Sequence, residues 1–284
     1  MKPPPFLYAR PASLEDVLAL LDEHGDDAKL LAGGQSLLPL LNFRLARPTV
    51  LVDLSLVPEL ARVARDDGVI RVGAMVRQRD VETSPLFAQD CPLVPMAIRH
   101  IGHFQIRTRG TVGGSLAHAD PAAELPAVAL VLGAEFEVRS SDGTRTVPAA
   151  EFFDGPFTTA LGPQDVLTEV RFPARPSRVA FAELARRRGD FAMAGMAVAL
   201  ELVPGSRRVA SVALAGLGLG PTALRLGGAE SELLGKELEP QAIAQAAGAA
   251  SSEVSPFTDL HADEDYRRHV AGVLVSRVLS EVAA

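Results

Sequence analysis

Two glycine-rich segments constrain the fold of this chain more than any other feature. The first glycine segment is Ala32-Gly33-Gly34-Gln35-Ser36, and the second glycine segment is Thr111-Val112-Gly113-Gly114-Ser115. Each follows a stretch that is compatible with a β-strand. Because glycine lacks a β-carbon, backbone N–H groups at such a turn can approach an anion closely, and a serine hydroxyl adds a donor. Two converging turns of this kind could hold the two phosphates of a dinucleotide, although either one alone is more simply explained as a tight turn.

The glycine spacing excludes two common nucleotide-binding motifs. Neither segment has the spacing of a nicotinamide-binding Rossmann turn or of a phosphate-binding P-loop. A third stretch, Gly216-Leu217-Gly218-Leu219-Gly220, superficially resembles a nucleotide-binding loop. It lies between a predicted strand and Pro221, and no helix opens behind it, so we predict a structural role for it.

Helix and strand patterns alternate in the first part of the chain. Ser13 is a predicted N-cap, residues 14–21 carry an apolar stripe at helical spacing, and Gly25 is a predicted stop. Further predicted helices cover residues 93–101 and 121–132. Predicted strands cover residues 29–32, 49–54, 69–72, 135–139, 145–147 and 165–172.

The later part of the chain has a different pattern. A proline-flanked polar stretch at residues 174–177 predicts a domain boundary. Beyond it we predict three long strands and two helices, at residues 179–184, 192–203, 209–217, 241–250 and 263–282. The predicted fold class is therefore α+β. An N-terminal domain (1–175) precedes a C-terminal domain (176–284) that has a three-stranded antiparallel sheet with helices.

Composition excludes several classes of protein. A formal charge of −7, with no Trp and two Tyr in 284 residues, argues against nucleic acid as a partner. The single cysteine, Cys91, excludes an internal disulfide and any cysteine-ligated iron–sulfur cluster held by this chain alone. We find no targeting segment and no apolar stretch of transmembrane length, so a cytoplasmic location is expected.

Four stretches carry a family resemblance: residues 32–39 (AGGQSLLP), 106–126 (IRTRGTVGGSLAHADPAAELP), 186–192 (RRRGDFA) and 265–270 (DYRRHV). In this order they resemble the flavoprotein, or medium, subunit of molybdenum hydroxylases, the carbon monoxide dehydrogenase and xanthine dehydrogenase group. The resemblance covers nearly the whole chain. It implies a two-part, PCMH-type α/β FAD-binding domain with subdomains of about 1–57 and 58–175. FAD is expected to be held noncovalently between the N-terminal region and the C-terminal domain.

By position, the resemblance assigns several residues to FAD. The two glycine segments would wrap the pyrophosphate. Glu124 matches an acidic residue on the adenosine side, where a carboxylate can accept ribose hydroxyl bonds; a solvated helix residue is the alternative. Leu161 falls where the family packs an apolar side chain near the flavin. Arg187 falls at a cationic position that would stabilise negative charge on the reduced ring, with a surface basic cluster as the alternative.

The resemblance implies neither a catalytic side chain nor a metal ligand in this chain. Asp120 and His118 follow the second glycine segment and are expected to order that loop or to lie beside the flavin, and Asp120 is counted as an FAD contact. Gln35 stands where some relatives carry His, which argues against carbon monoxide as the substrate of the complex.

The resemblance also implies partners. A large molybdopterin subunit would oxidise the substrate, and a small subunit with two [2Fe–2S] clusters would relay electrons to FAD in this chain. The FAD would pass them to an external acceptor (quinone, NAD or oxygen). We expect a dimerised heterotrimer, cytoplasmic or held at a membrane through the complex. A self-sufficient FAD-dependent oxidase or dehydrogenase is one alternative, and a nonenzymatic module whose glycine segments are only turns is another.

Overall fold

Four β-sheets organise the chain, and the computed structural model describes them over residues 1–174 and 177–284. Three are larger sheets of three, five and four strands in chain order, and the fourth is a two-stranded hairpin. The predicted domain boundary between residues 175 and 176 lies outside the described residues. In the part of the chain that the structure describes, no helix is both long and apolar enough to cross a membrane.

The first sheet is parallel and has three strands. Its strands are β1 (Leu7–Ala9), β2 (Ala28–Leu31) and β3 (Val50–Asp53), in the order β1-β3-β2. Helix α1 (Leu14–His24) connects β1 to β2, and helix α2 (Leu37–Asn42) follows β2.

The start and stop predicted for the first helix are confirmed. The Ser13 hydroxyl accepts a hydrogen bond from the Asp16 N–H at 3.1 Å, and Gly25 caps the other end at a φ of 51°. The apolar stripe of α1 is buried in a core cluster that also contains residues of β3.

The second sheet is antiparallel, with five strands in the order β4-β5-β10-β6-β7. Their bounds are β4 (Val63–Asp66), β5 (Val69–Gly73), β6 (Glu135–Ser140), β7 (Gly143–Pro148) and β10 (Val166–Pro173). The small hairpin is β8 (Phe153–Gly155) with β9 (Thr158–Thr159). The helices of this region are α3 (Gln78–Glu82), α4 (Pro85–Asp90), α5 (Leu93–Ile98), α6 (Phe104–Arg107), α7 (Val112–His118), α8 (Glu124–Leu132) and α9 (Ala149–Phe152).

The C-terminal sheet has four antiparallel strands, one more than predicted. They are β11 (Arg178–Ala185), β12 (Ala192–Leu202), β13 (Val209–Leu217) and β14 (Leu224–Arg225). The extra strand, β14, has two residues, too few to show an alternating pattern in the sequence. Helices α10 (Gly227–Ser231), α11 (Pro240–Glu253) and α12 (Glu264–Ala283) follow it.

Side chains of this sheet alternate between two cores, as the two-residue period of a strand requires. On β12, Met196 and Val198 pack toward the core that contains α11 and α12. Ala197, on the opposite face, belongs to the core that contains α5, α8 and the five-stranded sheet. Helix α8 therefore lies between the two large antiparallel sheets, and its residues from Glu124 to Val131 are all buried.

Two helix boundaries in the structure differ from the predicted ones. The helix predicted from Pro121 begins at Glu124, because residues 121–123 form a turn in which the Asp120 carboxylate accepts the Ala122 N–H at 2.9 Å. The helix predicted to reach residue 101 ends at Ile98, and Gly102 follows at a φ of 48°.

Candidate functional site

The structure brings the two glycine segments together. Gly33 follows β2 and packs so closely on the chain before Thr111 that a β-carbon on it would lie 2.8 Å from the Gly110 Cα and would overlap the Arg109 carbonyl oxygen. A β-carbon on Gly114 would lie 3.2 Å from the Ala32 Cβ. The close approach explains why glycine occupies these positions.

The first glycine segment presents free backbone donors. Within residues 1–174 and 177–284, the N–H groups of Gly33, Gly34, Gln35 and Ser36 have no protein acceptor. The segment is held in shape by the Gln35 side chain, whose Nε2 donates to the Gly33 carbonyl at 3.0 Å, and Gly34 has a φ of 74°. Consecutive free N–H groups in a turn form a concavity that binds anions.

The second glycine segment is not the loop after a strand that the sequence predicted. It is the first turn of α7, preceded by the short helix α6, and Thr111 is its N-cap. The Thr111 Oγ1 accepts from the Gly114 N–H at 2.9 Å, and the Gly113 N–H donates to the Ala74 carbonyl at 3.0 Å. Because the N–H groups of residues 112–115 are all bonded within the protein, this segment contributes close packing and its Thr and Ser hydroxyls rather than free backbone donors.

A third stretch, residues 74–78, completes this region and was missed by sequence reasoning. Arg77 pairs with Thr111 in an isolated β-bridge, and the Gln78 N–H donates to the Gly110 carbonyl at 2.9 Å. The Gln78 Oε1 is buried without a hydrogen-bond partner among the described residues. No local pattern in the sequence marks this stretch, since only the bridge between distant residues places it at the site.

A cavity of about 320 Å³ opens beside this stretch. It is bordered by Arg77 and Asp80 on one side and by residues 55–58, which follow β3, on the other. The cavity and the first glycine segment thus both lie at the carboxyl ends of the parallel strands, where open sheets of this kind bind ligands.

Glu124 lies at the start of α8 and is only 8% exposed. This burial contradicts the alternative of a solvated helix residue. Burial, reinforced by the nearby Glu183 carboxylate, raises the pKa of Glu124 to about 8. The side chain is therefore mostly a neutral carboxylic acid at neutral pH, able to donate one hydrogen bond as well as accept others.

Glu183, on β11, is a second buried carboxylate near Glu124. Its Oε1 lies 3.2 Å from the His100 Nδ1, whereas its Oε2 is buried without a partner in the described part of the chain. Sequence reasoning did not select Glu183, because it is far from Glu124 along the chain and no motif contains it.

Asp120 and His118 order the connection between α7 and α8. Asp120 caps the turn that precedes α8, as described above, and the His118 ring centroid lies 5.1 Å from that of Phe157. Burial lowers the pKa of His118, although Asp120 acts in the opposite direction. Over the described ranges, no group of three or more His, Cys, Asp or Glu side chains is arranged to hold a metal ion.

Arg187 and Leu161 are not among the residues that join the two glycine segments. Arg187 is exposed on the loop between β11 and β12. Gly189 in that loop packs against His103, where a β-carbon would lie 2.5 Å from the imidazole Nδ1. Leu161 is half-buried against the main core, and its N–H donates to the Thr159 hydroxyl at 3.3 Å.

The residues present fit a dinucleotide that carries a diphosphate. The free N–H groups of residues 33–36 suit the phosphates, and Gly33 permits close approach to the backbone. The orphaned oxygens of Gln78 and Glu183 can accept hydrogen bonds from a bound partner.

Comparisons with known proteins agree with this geometry. Residues 4–175 match the family model described as the FAD binding domain in molybdopterin dehydrogenase. Residues 179–282 match the CO dehydrogenase flavoprotein C-terminal domain.

Whole-chain relatives extend the match. The chain is 42% identical to the 6-hydroxypseudooxynicotine dehydrogenase complex subunit alpha of Paenarthrobacter nicotinovorans, covering 99% of this chain and 95% of the relative. It is 40% identical to the nicotine 6-hydroxylase medium subunit of the same organism, covering 100% and 99%. A solved carbon monoxide dehydrogenase structure from Hydrogenophaga pseudoflava superposes with a TM-score of 0.96 at 39% identity, covering 99% of this chain and 98% of that one. The predicted fold class is confirmed, and the chain belongs to the family of FAD-binding medium subunits of molybdenum-containing hydroxylases and dehydrogenases.

Proposed function

We propose that this chain binds FAD noncovalently and acts as the electron-transferring subunit of its complex. FAD would supply one- and two-electron redox chemistry, and this chain would supply its position and electrostatic surroundings. In the proposed arrangement, electrons would reach the FAD site of this chain from the [2Fe–2S] clusters of a small partner subunit and would leave it for an external acceptor.

One observation carries the proposal beyond the family match. The four consecutive free N–H groups of residues 33–36 lie where Gly33 meets the chain before Thr111. We assign the FAD diphosphate to this concavity. The second glycine segment would close around it through the Thr111 and Ser115 side chains and through its tight packing.

We also propose roles for the other residues that are predicted to contact FAD. Glu124, neutral near pH 7, would share hydrogen bonds with hydroxyl or N–H groups of FAD. Asp120 would hold the turn that places Glu124. Leu161 would pack near the flavin, and Arg187, exposed on its loop, would provide a cation beside the reduced ring.

The division of labour between subunits follows from cysteine chemistry. Cys91 is buried, and burial raises the pKa of its thiol to about 12. One inert thiol cannot ligate a cluster. We therefore assign the clusters to a small subunit and the molybdopterin to a large one, in a dimerised heterotrimer located in the cytoplasm. We assign oxidation of the substrate to the large subunit.

The test is a comparison of the purified complex with its Gly33→Ala variant. In the wild-type complex, we expect substrate to reduce the clusters and then the FAD, with turnover of an external acceptor. In the variant, the clusters should still be reduced, but acceptor turnover should fall with FAD content. Acceptor turnover that is unaffected by loss of FAD would contradict the proposal, and substrate turnover by the isolated FAD-loaded chain would favour the self-sufficient oxidase.

A further inference from the structure

Arg77 and the main chain of Arg109 meet beside the first glycine segment. Arg77 is half-buried, and its Nη1 donates to the main-chain carbonyl of Arg109. Within residues 1–174 and 177–284, neither the Arg77 nor the Arg109 guanidinium forms an ion pair with a carboxylate. By contrast, Arg79 and Arg107 both pair with Glu82.

The two positive charges are close enough to repel each other. Burial is the main cause that lowers the pKa of Arg77, and the charge of Arg109 lowers it further. Asp80 and Asp53 act in the opposite direction, but more weakly. A guanidinium group keeps its charge in proteins, and the partly buried charge of Arg77 is costly without a counter-ion.

The arginine pair adjoins the free N–H groups. The Arg109 carbonyl oxygen that accepts the hydrogen bond from Arg77 is the same atom that a β-carbon on Gly33 would overlap. Arg77 also faces Thr111 across the isolated bridge and borders the cavity at the end of β3. A doubly negative group seated on residues 33–36 would therefore lie beside the Arg77 guanidinium. The exposed Arg109 side chain is close enough for its charge to act on Arg77, so it would add positive potential at the same place.

We propose that Arg77 and Arg109 together form the cationic site for the FAD diphosphate and so select a phosphate-bearing flavin over riboflavin. This inference rests on the proposed function. The chain carries a formal charge of −7, so its overall field repels a diphosphate. Local positive charge at the site offsets that repulsion and supplies charge-assisted hydrogen bonds.

Because Arg77 binds the main chain of Arg109, two substitutions can separate the effect of charge from that of side-chain geometry. Arg109→Gln removes one positive charge but leaves the carbonyl that Arg77 binds. Arg77→Lys keeps the charge but loses the planar fork of donors. Arg65→Gln is the matched control, since Arg65 is an exposed arginine on β4 that pairs with Asp90 at 2.8 Å.

The experiment measures binding of FAD and of riboflavin to the full-length chain, together with the subunits that co-purify with it, after removal of flavin. Measurements at several salt concentrations report the charge contribution, because salt screens exposed charges. For Arg109→Gln, we expect FAD affinity to fall about 10- to 100-fold at low salt. Its affinity should also depend less on salt, while riboflavin affinity stays within error of the wild type. Arg65→Gln should match the wild type throughout.

Two results would overturn the inference. The first is an Arg109→Gln variant whose FAD affinity and salt dependence equal those of the wild type. The second is an equal loss of FAD and riboflavin binding, which would assign the arginine a purely structural role. Failure of the wild-type assembly to bind any FAD would instead contradict the proposed function, so the two failures are distinguishable.

Discussion

At the scale of single residues, Gly33 shows how one missing side chain can define a site. Any β-carbon at this position would overlap the Arg109 carbonyl oxygen, which belongs to backbone rather than to a flexible side chain. The backbone would have to move to accommodate it, and the free N–H groups of residues 33–36 would move with it. Gly33 therefore affects the backbone geometry of the first glycine segment rather than contributing a side chain.

Gly33→Ala is expected to weaken FAD binding by roughly 10- to 100-fold, because overpacking of a tight contact costs about 1–3 kcal/mol and displaces the donors. Equilibrium titration with FAD checks this expectation. Gly248→Ala in α11 is the control, since a β-carbon there meets nothing within 4 Å. Equal affinity of the two variants would contradict the assignment of the first glycine segment to FAD.

Glu124 gives the molecule a predictable dependence on pH. Its pKa is raised from 4.5 to about 8 in the folded chain, mainly by burial and then by Glu183. Between these pH values the unfolded chain releases the proton while the folded chain keeps it. The free energy of unfolding of the flavin-free chain should therefore decrease as the pH rises from about 4.5 to about 8.

Glu124→Gln should remove this contribution, because the amide does not titrate. Urea unfolding at pH 5.5 and pH 8.5 provides the measurement. We expect the wild type to lose more stability than the variant between the two pH values, whereas equal losses would show that Glu124 titrates normally.

At the scale of elements, α7 is a helix that intrinsic propensity opposes. Two adjacent glycines in its first turn carry a conformational-entropy cost, because glycine is among the poorest helix formers. The Thr111 cap and the packing of Gly113 on Ala74 override that cost. The sequence predicts a turn here because the two glycines are adjacent. The contact with Ala74 that favours the helix joins residues that are far apart in the chain.

Local signals explain where prediction succeeded. Ser13 and Gly25 mark both ends of α1, and Asp263 caps α12 through the Tyr266 N–H at 2.7 Å. The glycine segments themselves were recognisable for the same reason. Arg77 and Glu183 were not, because each joins the site through contacts between distant residues that carry no local pattern.

The Thr111→Ala and Ser13→Ala variants compare the N-cap of α7 with the N-cap of α1. Loss of an N-cap hydroxyl typically costs about 1 kcal/mol, so Thr111→Ala and Ser13→Ala should destabilise the chain by similar amounts. Chemical denaturation measures those losses. Only Thr111→Ala should also weaken FAD binding, and a comparable FAD defect in Ser13→Ala would mean that the effect comes from stability alone.

At the scale of the whole molecule, α8 ties the two domains into one core. Its apolar side chains pack on the five-stranded sheet and on one face of the C-terminal sheet, so a single buried cluster includes Leu125, Phe172 and Leu217. The helix that carries Glu124 is thus held from both sides. Separation of the domains would expose this core to water.

We therefore expect the full chain to unfold in one cooperative transition. Leu125→Ala, at a fully buried position of α8, should lower stability by roughly 2–5 kcal/mol without splitting that transition. Calorimetry tests this directly, because agreement of the calorimetric and van't Hoff enthalpies identifies a two-state process. Two resolved transitions in the wild type would show that the domains fold independently.

The most direct test of FAD binding by this chain is the identity and amount of flavin that acid releases from the purified protein. We predict stoichiometric FAD in the wild type and a clear loss in Gly33→Ala. If neither the isolated chain nor its complex with partner subunits retained or took up FAD, the site at the two glycine segments would be contradicted.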